Sequence, residues 1–119
     1  MEGMFKLTKR VKFEAAHRIP GHPGKCDRLH GHTYLVDIEV SGDDLDSLGI
    51  LIDFSALKEL EALLPDHTYL NESLPGVLTT AEGLSRHFFQ QFRDRIPQVT
   101  AVTVHEGPNS WCRYEESAR

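Results

Sequence analysis

Residues 30–42 read HGHTYLVDIEVSG, and the middle of this stretch decides the fold. Tyr34, Val36, Ile38 and Val40 stand on even positions, while Asp37, Glu39 and Ser41 stand on odd ones. An apolar side chain at every second residue describes a strand with one face buried and one face in water. Counted back at the same parity, His30 and His32 lie on the apolar face, at the point where the strand leaves its preceding loop. Two imidazoles two residues apart on a strand point the same way, roughly 6.6 Å apart, and can close on one metal ion without distorting the backbone.

Upstream, Phe5, Leu7, Val11, Phe13 and Ala15 alternate with Lys6, Lys12 and Glu14, which predicts a first strand ending at His17. The loop RIPGHPGKCDRL, with its two prolines and two glycines, separates the two strands. Strands joined without a helix usually pair antiparallel. Downstream the period changes. IDFSALKELEALLPD spaces Phe54, Leu57, Leu60 and Leu64 for one helix face, with Asp53 or Ser55 as N-cap and Pro65 as stop. TTAEGLSRHFFQQFRDRI predicts a second helix carrying Leu84, Phe88 and Phe92, with Thr79 and Glu82 at capping-box spacing and Pro97 beyond its end. VTAVTVHE then places Val102, Val104 and Glu106 on one face of a third strand, and WCRYE after the GPNS turn is a fourth. The order ββααββ predicts an α+β fold: an antiparallel four-stranded sheet with two helices on one face. Its two edges and half-covered second face favour assembly with other copies.

Composition narrows the class. A chain of 119 residues, 39% hydrophobic and 26% charged, has the length of a single domain spanning 1–119. A formal charge of −5 with seven neutral histidines argues against a general grip on nucleic acid. No run approaches the roughly 20 apolar residues of a membrane span, and the N-terminus has no apolar leader, so a cytoplasmic protein is expected. Cys26 and Cys112 cannot build a disulfide framework and read as free thiols, Cys112 as a small packing residue in its strand.

His17, on the apolar parity of the first strand, belongs at the same end of the same face as His30 and His32. Three neutral imidazoles with a fourth position free describe a catalytic zinc arrangement. Cys26 is a fourth ligand on one reading, closing a purely structural site in a noncatalytic zinc-binding domain. On the other it is a base or nucleophile, activated by Lys25 and Arg28 and opposed by Asp27. Spacing alone does not choose between them.

FEAAHRI, CDRLHGHTY, PDHTYLN and VHEGPNSWCRY, in this order along nearly the whole chain, resemble the signatures of the 6-pyruvoyltetrahydropterin synthase superfamily, and within it the branch that makes 6-carboxytetrahydropterin. The three-residue gap between Cys26 and His30 resembles that branch more than the longer gap of the pyruvoyl enzymes. The resemblance implies the tunnelling fold, trimers stacked as a homo-hexamer with active sites between subunits, and zinc on His17, His30 and His32. It implies that Cys26 accepts a proton, that His67 with Asp66 supports the relay, and that Glu106 anchors a pterin ring and takes part in the relay. Thr80 resembles a position near the pterin, although capping the second helix explains it equally well. The implied reaction is a zinc-dependent lyase conversion of 7,8-dihydroneopterin triphosphate to 6-carboxy-5,6,7,8-tetrahydropterin, acetaldehyde and triphosphate, on the way to queuosine. Lys25 and Arg28 are the cations available to the triphosphate. One departure stands out: the family commonly follows its anchoring glutamate with threonine, where this chain has Gly107 and Pro108.

Overall fold

The alternation read from the sequence becomes two long strands, β1 (Phe5–His17) and β2 (His30–Gly42), paired antiparallel over their whole length. The computed structural model describes residues 3–117, so the outermost residues of the expected 1–119 unit lie outside it. On β1 the side chains of Val11, Phe13, Ala15 and His17 are buried, and on β2 those of Tyr34, Val36, Ile38 and Val40. Both sets face one core, and burying each such aliphatic or aromatic side chain contributes roughly 1.5–3 kcal/mol. Phe13 stacks on its cross-strand partner Tyr34 with ring centroids 4.7 Å apart.

The helical half departs from its expected form. The stretch after Asp53 begins as α1 (Phe54–Lys58) and tightens at once into a 3-10 turn over Glu59–Leu63. Asp53 is the N-cap, its carboxylate accepting from the Ser55 N–H at 2.8 Å. Pro65 disfavours helical backbone at Leu64, which is extended with ψ 141°. Leu57, Leu60 and Leu64 still reach the core, Leu64 from the extended backbone past the turn, while Phe54, expected on the same face, is exposed.

Past Pro65 the chain adds a two-residue strand, β3 (Thr68–Tyr69), parallel to β1 at Ala15 and Ala16, and a one-turn helix, α2 (Leu70–Ser73). The sheet is therefore mixed and five-stranded, in the order β3-β1-β2-β4-β5, rather than four-stranded and wholly antiparallel. No alternation announced β3, since two residues carry no period. The long helix α3 (Ala81–Arg95) packs Leu84, Phe88, Phe89 and Phe92 onto the sheet. Its cap is Thr80, whose hydroxyl accepts from the Gly83 N–H at 3.0 Å, so the capping box read from Thr79 and Glu82 does not form. Gly83 is required here: a Cβ would stand 2.0 Å from the Leu78 carbonyl oxygen.

β4 (Val99–Gly107) and β5 (Ser110–Glu115) complete the sheet. Cys112, expected buried, is half-buried and accepts from the Ser85 hydroxyl at 3.7 Å. The opposite face carries a polar layer centred on Asp37, which takes Arg10 Nε at 2.6 Å and lies 2.8 Å from His105 Nε2. Burial pushes the Asp37 carboxyl up, but Arg10 and His105 together outweigh it and hold the group below its ordinary range. Among the described residues no helix is long and apolar enough to cross a membrane.

Candidate active site

Strand register assembles the three imidazoles. His17 stands directly opposite His30 in the β1–β2 ladder, and His32 opposes Ala15, two residues before His17. All three rings thus leave one face at one end of the sheet, with centroids 4.5 Å (His17–His30), 5.1 Å (His17–His32) and 4.9 Å (His30–His32) apart. One ligand atom from each lies within 4.8 Å of the others.

Two of the rings are oriented by backbone carbonyls. His17 Nδ1 donates to the Thr79 carbonyl at 2.8 Å, and His30 Nδ1 to the Arg28 carbonyl at 2.7 Å, which leaves Nε2 of each as the lone-pair nitrogen. The turn closed by Gly83 and capped by Thr80 holds Thr79 in place, so α3 indirectly sets the His17 tautomer. His17 is completely buried, and that burial holds its imidazole below its ordinary range, against the Thr79 hydrogen bond and with help from His30 and His32. His17 Nε2 and His32 Nε2 are buried without a hydrogen-bond partner. Buried nitrogens without partners are costly unless something occupies the space between them. A neutral, convergent three-nitrogen donor set fits a divalent transition metal ion.

Cys26 sits in the 3-10 turn Lys25–Asp27, half-buried, with its carbonyl accepting from the Ile19 N–H at 2.7 Å. It lines a cavity of about 360 Å³ together with His30, His32 and Glu106. Among the described residues the compact ligand cluster contains the three histidines without Cys26. Asp27 is engaged by Arg18 at 2.6 Å, a bond that also holds its carboxyl below the ordinary range. Lys25 and Arg28 are exposed on the same loop. Gly107 to Ser110 form the far wall of the cavity; Asn109 and Ser110 entered the sequence reading only as turn residues.

Glu106 reaches the histidines from β4. The β4–β5 ladder pairs His105 with Trp111 and Gly107 with Ser110, which leaves Glu106 as the unpaired residue of an irregularity, on the same face as the buried Val102 and Val104. Its Oε2 lies 3.5 Å from both His17 Nε2 and His32 Nε2. The Tyr34 hydroxyl is also buried without a partner, and burial, then the Glu106 charge, push its pKa up. Sequence periodicity assigned Tyr34 to the core, and only the depth of its hydroxyl shows it to be a polar group beside the site.

His67 and Asp66 are placed elsewhere. They line a separate cavity with Glu14 and Lys12 on the outer side of β1, away from Cys26. His67 Nδ1 pairs with Asp66 Oδ2 at 2.8 Å, while Asp66 Oδ1 accepts from the Glu14 N–H at 2.8 Å. The Asp66 hydrogen bond and charge raise the His67 imidazole above its ordinary range. His67 is the one described non-glycine residue with positive φ, at 57°, a conformation disfavoured for side chains other than Asn, Asp and His. The Thr80 hydroxyl is occupied by its cap, and Thr80 does not line the Cys26 cavity.

Residues 6–117 match the protein family described as 6-pyruvoyl tetrahydropterin synthase. The chain is 40% identical to the 6-carboxy-5,6,7,8-tetrahydropterin synthase of Bacillus subtilis, over 92% of this chain and 84% of that one. It is 38% identical to the protein of the same name from Synechocystis, covering 93% of each chain, and 34% identical to that from Haemophilus influenzae, covering 95% and 100%. The 6-pyruvoyl tetrahydropterin synthase of Caenorhabditis elegans superposes with a TM-score of 0.83 at 23% identity, covering 97% of each chain, which shows a shared fold. With the match running from β1 to the residues after β5, the chain belongs to the 6-pyruvoyl tetrahydropterin synthase family.

Proposed function

We propose that the protein is a zinc-dependent lyase converting 7,8-dihydroneopterin triphosphate and one water into 6-carboxy-5,6,7,8-tetrahydropterin, acetaldehyde and triphosphate. The observation that carries this reading is the convergence of His17, His30 and His32 beside a cavity that also presents a thiol and a carboxylate. Relatives bearing the 6-carboxytetrahydropterin synthase name, 34–40% identical over most of the chain, support the choice of product.

His17, His30 and His32 would hold the ion, which when bound supplies Lewis-acid polarisation of substrate oxygens and acidifies the neighbouring C–H and O–H bonds. Cys26, on the wall of the same cavity, takes a side-chain proton as thiolate. Glu106 accepts hydrogen bonds from the amino-pyrimidine edge of the pterin, two donors for one carboxylate. His67, whose protonated form Asp66 favours, returns a proton. Within one chain it lies in a different cavity, so in this reading a neighbouring copy brings it to the site, as expected of trimers stacked into hexamers. Lys25 and Arg28, exposed on the loop that carries Cys26, are the cations offered to the triphosphate. The product's use in making queuosine, and a cytoplasmic location, belong to the same reading.

The test is product identification. Zinc-loaded protein incubated with dihydroneopterin triphosphate releases acetaldehyde and a 6-carboxytetrahydropterin in equal amounts. A product retaining all three side-chain carbons would place the chain in the pyruvoyl branch. Stoichiometric zinc without any conversion would reduce it to a binding module.

A further inference from the structure

We propose that Glu106 is a fourth, exchangeable ligand of the ion held by His17, His30 and His32, bound to it in the resting protein and released to the pterin edge when substrate enters. The inference rests on the metal and pterin assignments above and adds a resting state to them.

Geometry is the first support. Glu106 Oε2 is 3.5 Å from two imidazole nitrogens at once, and neither nitrogen is hydrogen-bonded. That separation is long for a hydrogen bond, whose N···O distance is ordinarily 2.7–3.2 Å. It matches the spacing between neighbouring ligands of a tetrahedral ion with bonds of 2.0–2.2 Å, which is about 3.3–3.5 Å. The carboxylate therefore stands where a ligand would, at a distance that no direct bond to the imidazoles explains.

The second support is the backbone. Glu106 shares the parity of the buried Val102 and Val104 and so points to the face that carries the histidines, and it is the unpaired residue of the β4–β5 irregularity, where β5 does not pin its backbone. Glu106 contacts two of the three imidazoles, and the third, His30, lines the same cavity. A partly exposed carboxylate beside an open cavity has room to turn between ion and substrate, whereas the buried His17 does not.

Charge is the third. A divalent ion on three neutral imidazoles leaves two positive charges at a half-enclosed site, and one carboxylate ligand halves that excess. Substrate oxygens entering the coordination sphere take over the neutralisation and free Glu106 for the two N–H groups of the pterin. A single residue then couples ring binding to opening of the ion.

Cobalt(II) substitution tests this without turnover, because the intensity of its visible bands reports coordination number. The cobalt protein is compared with E106Q and E106A, together with zinc affinity from chelator competition and folding from circular dichroism. Expected are a changed cobalt spectrum and a loss of zinc affinity of at least about tenfold in E106A, since even outer partners of metal ligands contribute 10–100-fold. Dihydroneopterin should shift the spectrum of the unsubstituted protein and leave that of E106A little changed. The near-isosteric E106Q serves if E106A folds poorly. Unchanged spectra and affinity in a folded variant overturn the proposal and leave the reaction intact. Absence of turnover in the unsubstituted enzyme, with the spectral change still present, overturns the reaction and leaves the ligand.

Discussion

Two histidine sites flanking β1 sit in opposite surroundings. His17, at the end of β1, is buried against His30 and His32, and its imidazole is held below its ordinary range. His67, beside Glu14 three residues earlier on the same strand, is 74% exposed at its side chain, and Asp66 raises its imidazole above that range. Desolvation disfavours the proton on one ring, and a neighbouring carboxylate favours it on the other. A neutral imidazole can ligate a metal ion, and a charged one can donate a proton. The difference lies in which side of β1 each ring occupies: the covered face, or the outer edge in water.

The largest effects should come from breaking the buried group. His30→Ala should lose stoichiometric zinc, by more than the roughly 10–100-fold in affinity that an outer partner contributes, and lose turnover with it. Cys26→Ala should keep its zinc while turnover falls about 10²–10⁴-fold, the range of a general base. Metal analysis beside product assay separates the two, and zinc lost from the cysteine variant would make Cys26 a ligand.

The exposed group is sharpened by Asp66→Asn. Removing the carboxylate should bring the His67 titration down toward its ordinary value, read by proton NMR of the ring, with zinc content unchanged. The unsubstituted pair also has a signed effect on stability. His67, raised on folding, favours the native state below about pH 6.5 and loses that contribution as pH rises through its folded value. Asp66 is held down by the Glu14 N–H first and by His67 second. It favours the native state above about pH 3.9 and loses that contribution as pH falls through its depressed value. The pair therefore acts fully between those limits, weakly because it is solvent-exposed. A His67 titration indifferent to Asp66→Asn would remove the contrast.

The smallest effect is expected at Tyr34→Phe. The ring stays stacked on Phe13 and the partnerless hydroxyl goes, so the metal-free protein should gain about 1 kcal/mol or stay unchanged in a thermal melt. A clear loss would show that the hydroxyl has a partner in solution.

Much of this was legible in residue order. The alternation of β1, β2 and β4 and the apolar spacing of α3 are repeated over enough residues to be read without a structure, and parity alone puts three histidines on one face. Shorter elements were not readable in this way. β3 has two residues, α2 has four, and the 3-10 turn over Glu59–Leu63 shares the apolar spacing of the helix it replaces.

The sequence by itself determined which side chains share a face, because strand periodicity is a property of the backbone and needs no partner. Only the tertiary structure decided distance and surroundings. Register set His17 opposite His30, the pairing of β4 beside β2 brought Glu106 to within 3.5 Å of two imidazoles, and the edge of β1 kept His67 in water. Contacts between residues far apart in the chain depend on how whole elements pack, and no local pattern encodes that packing.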